Sequence, residues 1–236
     1  MNNVNYTMLC DFYELTMANG YFKNGYKDKI CYFDLFYRRV PDNGGFIIAC
    51  GLEQVIDYIN NLHFDEEDIA YLRSKGIFCE EFLDYLRSFK FEGDVWAVSE
   101  GTVAFPNVPI ITVRAPAIQA QLIETFLLLT INHQSLIATK TNRIVRASEG
   151  RAVSEFGSRR AHGPDAAILG ARAAYIGGAA ATACTAFRQR EQWRIRGCRC
   201  LTASTRLLRR TARCIRTAQR SLSIPITCSK AACRTP

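Results

Sequence analysis

The 236-residue sequence has no apolar run approaching the roughly 18 residues that a membrane-spanning helix needs. Its opening, Met1-Asn2-Asn3-Val4-Asn5, lacks the basic and apolar regions of a secretory signal, so the reading is a soluble cytoplasmic chain whose ten cysteines are thiols. It also lacks a Walker A loop, a GxGxxG turn and a GxSxG elbow, which removes the sites that those motifs announce. Histidine is scarce: His63, His133 and His162 lie far apart and make no metal-ligand spacing. What is present excludes disorder, because 48% hydrophobic and 11% aromatic residues suffice for a sizeable core in one large or two small domains.

Acidic residues are nearly missing from the end of the chain. Residues 1–187 carry 17 Lys and Arg against 21 Asp and Glu, whereas residues 188–236 carry 13 against 1, so the net charge of +8 belongs to the last stretch. That stretch has no Phe, Tyr or His, yet holds five of the ten cysteines. Two compositions share one chain.

In the first part, Leu52, Val55, Ile56, Ile59 and Leu62 recur at helical spacing. Asp65-x-x-Asp68 resembles a capping box that opens a second helix with Gly76 beyond its end, and Phe82, Leu83 and Leu86 predict a third. Val95 to Val98 and Pro106 to Val113 read as strands around the turn Glu100-Gly101-Thr102. From Pro116, Ile118, Leu122, Phe126, Leu129 and His133 predict about six helical turns, with Glu124 and Gln134 as polar exceptions. Helices alternating with short strands give an α/β or α+β class.

Two stretches carry candidate chemistry. Val153 to Phe156 is a strand candidate, Gly157 to Gly163 is a loop holding Arg159 and Arg160, and Pro164-Asp165 opens an Ala-rich helix ending at Gly177-Gly178. A helix N-terminus beside two guanidinium groups can hold phosphate or carboxylate. The competing reading is a solvated loop whose arginines pair with Glu155 and Asp165. Near the start, the segment from Asp11 to Ala18 puts Asp11, Glu14 and Ala18 on one helical face and Phe12, Leu15 and Thr16 on another. Tyr13 there either stacks on a flat ring through its π face or caps the core.

Cys10-Asp11-Phe12-Tyr13-Glu14-Leu15-Thr16-Met17-Ala18 and Phe33-Asp34-Leu35-Phe36-Tyr37-Arg38-Arg39 resemble the opening of nicotinate phosphoribosyltransferases. Gly51-Leu52-Glu53, Glu100-Gly101-Thr102-Val103, the blocks at 121–125 and 136–140, and Phe156 to Asp165 agree in the same order. The resemblance implies an N-terminal α/β domain, residues 1–113, followed from 114 to 187 by the start of an irregular α/β barrel. It further implies a homodimer sharing its active sites, and transfer of phosphoribosyl from phosphoribosyl pyrophosphate to nicotinate in NAD salvage. ATP and Mg2+ would serve through a phosphohistidine. By the same resemblance Tyr13 packs on the nicotinate ring, and Arg159, with Arg160 beside it, holds carboxylate or phosphate. Gly157 would let the backbone approach the ligand. Asp11, Thr16, Lys140 and Asp165 match supporting positions, for which packing or surface roles remain the alternative.

The last stretch departs from the family. Its Gly-Thr-x-Ala-His-Ser block is missing, and Arg190 to Cys200 matches nothing in it. Codons for Trp193 to Thr205 can be chosen that, read one base early, encode Met-Ala-His-Ser-Trp-Val-Gln-Met-Phe-Asp-Ser-Glu-Tyr. Ser223 to Thr235 likewise rereads as Val-Asp-Thr-Tyr-Asn-Val-Leu-Lys-Ser-Gly-Val-Pro-Asn. Both resemble family blocks, so a change of frame between about Thr185 and Arg190 is expected, leaving an out-of-frame, disordered tail and an inactive chain. A basic arm for nucleic acid lacks aromatic interleaving, and Cys198, Cys200, Cys214, Cys228 and Cys233 lack zinc-ligand spacing. With most of the barrel gone, the helix after Pro164 is expected to lack neighbours for its apolar face.

Overall fold

The computed structural model describes residues 4–189, and the tail expected to be out of frame, residues 188–236, lies outside them but for Arg188 and Gln189 at the end of the last helix. Its order begins α1 (Phe12–Lys23), β1 (Ile30–Leu35), β2 (Ile47–Ile48), α2 (Leu52–Asn61), α3 (Glu66–Ser74), α4 (Glu80–Arg87), β3 (Asp94–Ala97), β4 (Val103–Ala104) and β5 (Ile111–Pro116). It continues with α5 (Ala117–Leu122), α6 (Glu124–Ala147), β6 (Ser154–Glu155), α7 (Pro164–Ile176), β7 (Ala181–Thr182) and α8 (Thr185–Gln189).

A three-stranded antiparallel sheet, ordered β1-β5-β3, closes one side of the core. On its central strand Ile111, Val113 and Ala115 alternate inward at 1–3% exposure, as a half-buried strand requires. The other face is wet: Thr112 donates to Asp34 at 2.6 Å and Arg114 to Asp94 at 2.9 Å, with Tyr32 and Trp96 exposed beside them. Under the sheet Ile47, Val55, Ile69, Leu72, Phe82, Leu83, Leu86, Ile118 and Ile123 form one continuous apolar cluster. The three helices expected between residues 52 and 87 are present as α2, α3 and α4. Asp65 and Asp68 exchange the two bonds of a capping box at 2.9 and 3.1 Å.

Four local expectations change. The strand expected from Pro106 begins only at Ile111, because Pro106 and Pro109 bracket a turn in which Asn107 takes φ +59°. The six-turn helix after Pro116 is interrupted at Ile123, where α5, buried along its whole length, gives way to α6, which keeps a wet side. Leu129 is exposed on that side, while Gln134, read as an exception, lies in an inward polar row with Ser135, Thr139 and Asn142. On α1, Phe12 and Thr16 do not share the buried face of Leu15; the inward residues are Glu14, Leu15, Ala18 and Asn19.

The inward polar row of α6 completes the backbone of neighbouring segments, which is why it is tolerated there. Ser135 Oγ accepts from the Cys50 amide at 3.0 Å and donates to its carbonyl at 3.1 Å. Thr139 Oγ1 accepts from the Ile48 amide at 2.8 Å, and Asn142 Nδ2 donates to the Gly177 carbonyl at 3.3 Å. Gly51, at φ +107°, passes so close to α6 that a Cβ would stand 2.9 Å from the Thr130 carbonyl oxygen.

Contrary to expectation, α7 does find neighbours. It packs along α6, with Ala171, Ala173, Ala174 and Ile176 at 0–1% exposure, and a Cβ on Gly177 would stand 2.5 Å from the Ala138 carbonyl oxygen. In the same helix Arg172 is 1% exposed. Its Nη1 and Nη2 meet the two oxygens of Glu100 at 2.9 and 2.6 Å, and Nη2 also reaches Glu53 at 2.6 Å. Glu100 Oε1 accepts in addition from the amides of Gly51 and Leu52, at the start of α2, at 2.7 and 3.1 Å. Burial pushes the Glu100 carboxyl up, but Arg172 and those two amides outweigh it and hold it below the usual carboxylate range.

Arg172→Ala leaves Glu100 buried without its counter-charge, and denaturant unfolding is expected to show a loss of about 3–5 kcal/mol. Since the folded carboxyl lies below its unfolded value, this pair stabilises at neutral pH, and its contribution disappears as the pH falls through the folded-state value. Acid unfolding of Glu100→Gln should therefore be shallower than that of the parent; an equally steep profile would place the acid-sensitive group elsewhere.

Candidate functional site

The unit β6-α7-β7 is a strand, a helix and a parallel strand, with Ser154 opposite Ala181 and Glu155 opposite Thr182. The loop carrying Arg159 and Arg160 therefore leaves the C-terminal end of a parallel strand and enters a helix N-terminus, the place where α/β architectures hold ligands. Ser158 to Arg160 form a single 3₁₀ turn, and both arginines project into solvent.

The pairing expected of these arginines does not form. Neither makes an ion pair with any described residue. Glu155 is occupied otherwise, accepting from Thr182 Oγ1 at 2.6 Å and from the Gly157 amide. Asp165, in the first turn of α7, faces Tyr6; burial first and then this carboxylate hold the Tyr6 phenol protonated. Two guanidinium groups beside a helix N-terminus thus carry no counter-charge among the described residues, an arrangement that can hold an anion. Gly157 has an unexceptional φ of −84°, so its use there is space rather than a left-handed turn.

Tyr13 stands on the first turn of α1 with 46% of its surface exposed, so it does not cap the core. Its phenol is held protonated by burial and then by Glu124, Glu14 and Asp11. Asp11, at the N-cap, makes no side-chain cap; its amide donates to Thr125 Oγ1 at 3.3 Å, which joins the starts of α1 and α6. Thr16 Oγ1 donates back to the Tyr13 carbonyl at 2.9 Å. Tyr6 closes the arrangement, its ring 5.9 Å from Phe126 near the start of α6 and its phenol beside Asp165 at the start of α7. The beginnings of α1, α6 and α7 therefore lie at one end of the fold. Lys140 does not join them: it is about 24 Å further along α6 at 1.5 Å per residue. There it shares Asp42 with Arg143, each at 3.4 Å. A groove of about 860 Å³ between α2 and β3, lined by Ile56, Ile59, Phe91, Val95 and Ala97, contains none of these residues.

Sequence reasoning missed two groups of this end. Arg172 sits one helix behind the basic loop, and its signal was a lone charge in Ala-Ile-Leu-Gly-Ala-Arg-Ala-Ala. Glu14 is fully buried, with Oε1 accepting from Thr125 Oγ1 at 2.6 Å and Oε2 without a partner. Burial raises its carboxyl to about 7, the Thr125 hydroxyl opposing and Glu124 and Asp11 adding to the rise.

No three His, Cys, Asp or Glu side chains converge as a metal site among the described residues. The carboxylates nearest the basic loop, Glu155 and Asp165, are held by Thr182 and Gly157 and stand beside Tyr6, respectively. These residues do not by themselves make a Mg2+ or ATP site. The Gly-Thr-x-Ala-His-Ser block expected to carry the phosphate-accepting histidine is missing from the sequence, and the stretch in which it would fall lies outside the described residues.

The family model for the nicotinate phosphoribosyltransferase N-terminal domain matches residues 8–132. A nicotinate phosphoribosyltransferase of Mycobacterium tuberculosis is 46% identical over 175 residues, covering 74% of this chain and 38% of that protein. The Bacillus subtilis nicotinate phosphoribosyltransferase is 44% identical over 172 residues, covering 73% and 35%. The crystal structure of human nicotinic acid phosphoribosyltransferase superposes with a TM-score of 0.71 at 33% identity, covering 76% of this chain and 37% of that one. A nicotinate-nucleotide pyrophosphorylase from Pyrococcus furiosus shares the fold at a TM-score of 0.62 and 22% identity. The chain thus spans well under half the length of the relatives it matches. With its helix starts gathered at one end and its N-terminal portion matched by the family model, the chain belongs to the nicotinate phosphoribosyltransferase family.

Proposed function

We propose that this chain carries the pyridine-stacking and anion-binding part of a nicotinate phosphoribosyltransferase site. The whole enzyme would join the nicotinate ring nitrogen to C1 of phosphoribosyl pyrophosphate with release of pyrophosphate, in NAD salvage, and as written this chain does not complete the reaction. Residues 1–113 are the N-terminal domain and residues 114–187 the start of the barrel. The observation that carries the reading is the guanidinium pair Arg159 and Arg160, unpaired with any described carboxylate, at the junction of β6 and α7. A carboxylate or phosphate there gains charge-assisted hydrogen bonds that no internal partner takes. Tyr13 supplies an exposed ring to lie on the pyridine, and Asp11 and Thr16 hold its turn.

Exposed Phe12, Tyr13 and Met17 on α1, each 41–46% exposed, fit a homodimer in which a second copy covers that helix. ATP and Mg2+ belong to the whole enzyme, and no step is assigned to them in this chain. A cytoplasmic location fits a reduced-thiol chain: Cys10, Cys31, Cys50, Cys79 and Cys184 are free, and no helix among the described residues is long and apolar enough to cross a membrane. The change of frame near Thr185 to Arg190 rests on the two rereadings of the tail, and the relatives above leave about a quarter of the chain unmatched.

Nicotinate titrated into the 236-residue chain should move the Tyr13 ring resonances. Arg159→Ala and Arg160→Ala should each weaken that binding about tenfold, the worth of one hydrogen bond between charged groups. No displacement of Tyr13 at any nicotinate concentration would remove the stacking role. Assayed with nicotinate, phosphoribosyl pyrophosphate and ATP, the chain should form no nicotinate mononucleotide; turnover would overturn the claim of inactivity. Resequencing codons 180–195 should show one base dropped or added. An unaltered reading there would make the tail genuine and retire the frame argument.

A further inference from the structure

Glu14 has no part in the site just proposed, yet it is the most constrained polar group beside it. Its side chain is fully buried, in the turn that presents Tyr13. One oxygen accepts from Thr125 Oγ1 at 2.6 Å, and that same hydroxyl oxygen accepts from the Asp11 amide at 3.3 Å. The Thr125 proton is thereby committed to Glu14, and a single relay runs from the N-cap amide of α1 through α6 and back to α1. Glu14 Oε2 and the hydroxyl of Tyr58 on α2 are both buried and both without partners among the described residues. A carboxylate in this place would be favoured only by the hydroxyl and amide of Thr125, while burial, the largest effect, and the charge left on its partnerless Oε2 oppose it; a neutral acid leaves far less unsatisfied.

We propose that Glu14 is a positioning residue for Tyr13: as a neutral acid it lets the first turn of α1 pack dry against α2 and the start of α6, as a clamp, and on ionisation the buried charge on its partnerless Oε2 releases that turn. The inference rests on the reading of Tyr13 as the ring-stacking side chain. The groups around the carboxyl point the same way. Asp11 on α1, Glu124 on α6 and Cys10 in the segment before α1 face it, and Asp68 on α3 adds to the charge around Cys10. Asp11 and Glu124 are acids, and burial holds the Cys10 thiol up at about 12, so none is a cation that would stabilise an ionised Glu14. Tyr58, whose phenol burial keeps protonated, stacks on Phe126 at 3.8 Å and fixes the far wall. With the carboxyl raised to about 7, the clamp is closed below neutrality and opens above it. The ionised form must find a donor for Oε2, which requires Tyr58 to swing or water to enter between α1 and α6.

The test is a pH titration of the Tyr13 ring resonances by NMR in the 236-residue chain, without ligand. The parent should show a transition centred near 7. Glu14→Gln should hold Tyr13 in its low-pH position throughout, since the amide mimics the neutral acid. Thr125→Val removes the donor that favours the ionised form, so its transition should move to higher pH. As a control away from α1, His63→Gln in the loop before α3 must leave the transition in place. A Tyr13 signal that is flat from pH 5.5 to 8.5 in the parent overturns the proposal. So does one that titrates unchanged in Glu14→Gln or Thr125→Val, or one that disappears in His63→Gln. Should Glu14→Gln fail to fold, the Thr125→Val shift decides alone. A transition that behaves as described in a chain that ignores nicotinate would retire the stacking role and keep the clamp.

Discussion

The contact on which the rest of this structure depends is the bidentate pair between Arg172 and Glu100, side chains exposed to 1% and 5%. Either group alone in that interior would cost several kcal/mol, so the two elements that carry them are not free to part. Glu100 also caps the start of α2 through two amides, Glu53 takes a third position on the guanidinium, and Gln134 of α6 reaches Nη1 at 3.3 Å. One ion pair therefore sets α7 against α2, α6 and the turn before β4 at once. Apolar contacts between α6 and α7 supply attraction but little direction, because both faces are lined with small residues such as Ala171, Ala174 and Ala138. The forked geometry of arginine on carboxylate supplies the register that alanines cannot.

That register matters because α7 begins where the basic loop ends. Arg159 and Arg160 have no ion-pair partner among the described residues, so their position is inherited from the helix that follows them, and that helix is anchored at Arg172. The other half of the candidate site is fixed by a different kind of bond. Tyr13 inherits its position from the relay of Asp11, Thr125 and Glu14, in which each hydrogen bond is neutral or shared. The side proposed to bind an anion is thus held by a charge pair that strengthens above acid pH, and the side proposed to bind the ring by a carboxyl that, on the inference above, holds best when protonated. The two supports weaken in opposite directions of pH.

How far the sequence revealed this follows from what each signal measures. The helices between residues 52 and 87 were legible because apolar spacing and a capping box are local, and both survive packing unchanged. The strand at 106–113 was misplaced because Ile110, Ile111 and Val113 read as one run, while Pro106 and Pro109 divert the backbone before them. The basic loop was legible as strand, loop and helix, but the freedom of its arginines was not, since that depends on Thr182 taking Glu155 from 27 residues away. In the inward row of α6, Gln134 read as a polar exception to an apolar stripe, and Ser135, Thr139 and Asn142 gave no signal. Those three are dry because they bond backbone from residues 48–50 and 177, a long-range fact that no periodicity contains. Arg172 was the hardest of all, for a lone arginine among alanines looks like a solubilising charge until its partners at 53 and 100 are brought to it.

The same reasoning explains how a two-stranded parallel pair can still present an ordered end. A parallel pair of two-residue strands, β6 and β7, has too few ladder bonds to hold itself, and parallel strands ordinarily rely on further strands and covering helices. Here the covering helix is already secured from its other side, by Arg172 and by the close approach at Gly177 that only glycine allows. The loop at the strand's end therefore takes its position from α7 and from the N-terminal elements beneath it. In this arrangement the groups proposed to bind ligand take their place from α7 and from the elements on which it packs. On the function proposed above, binding would need only these elements, whereas turnover would need more of the length that the relatives have.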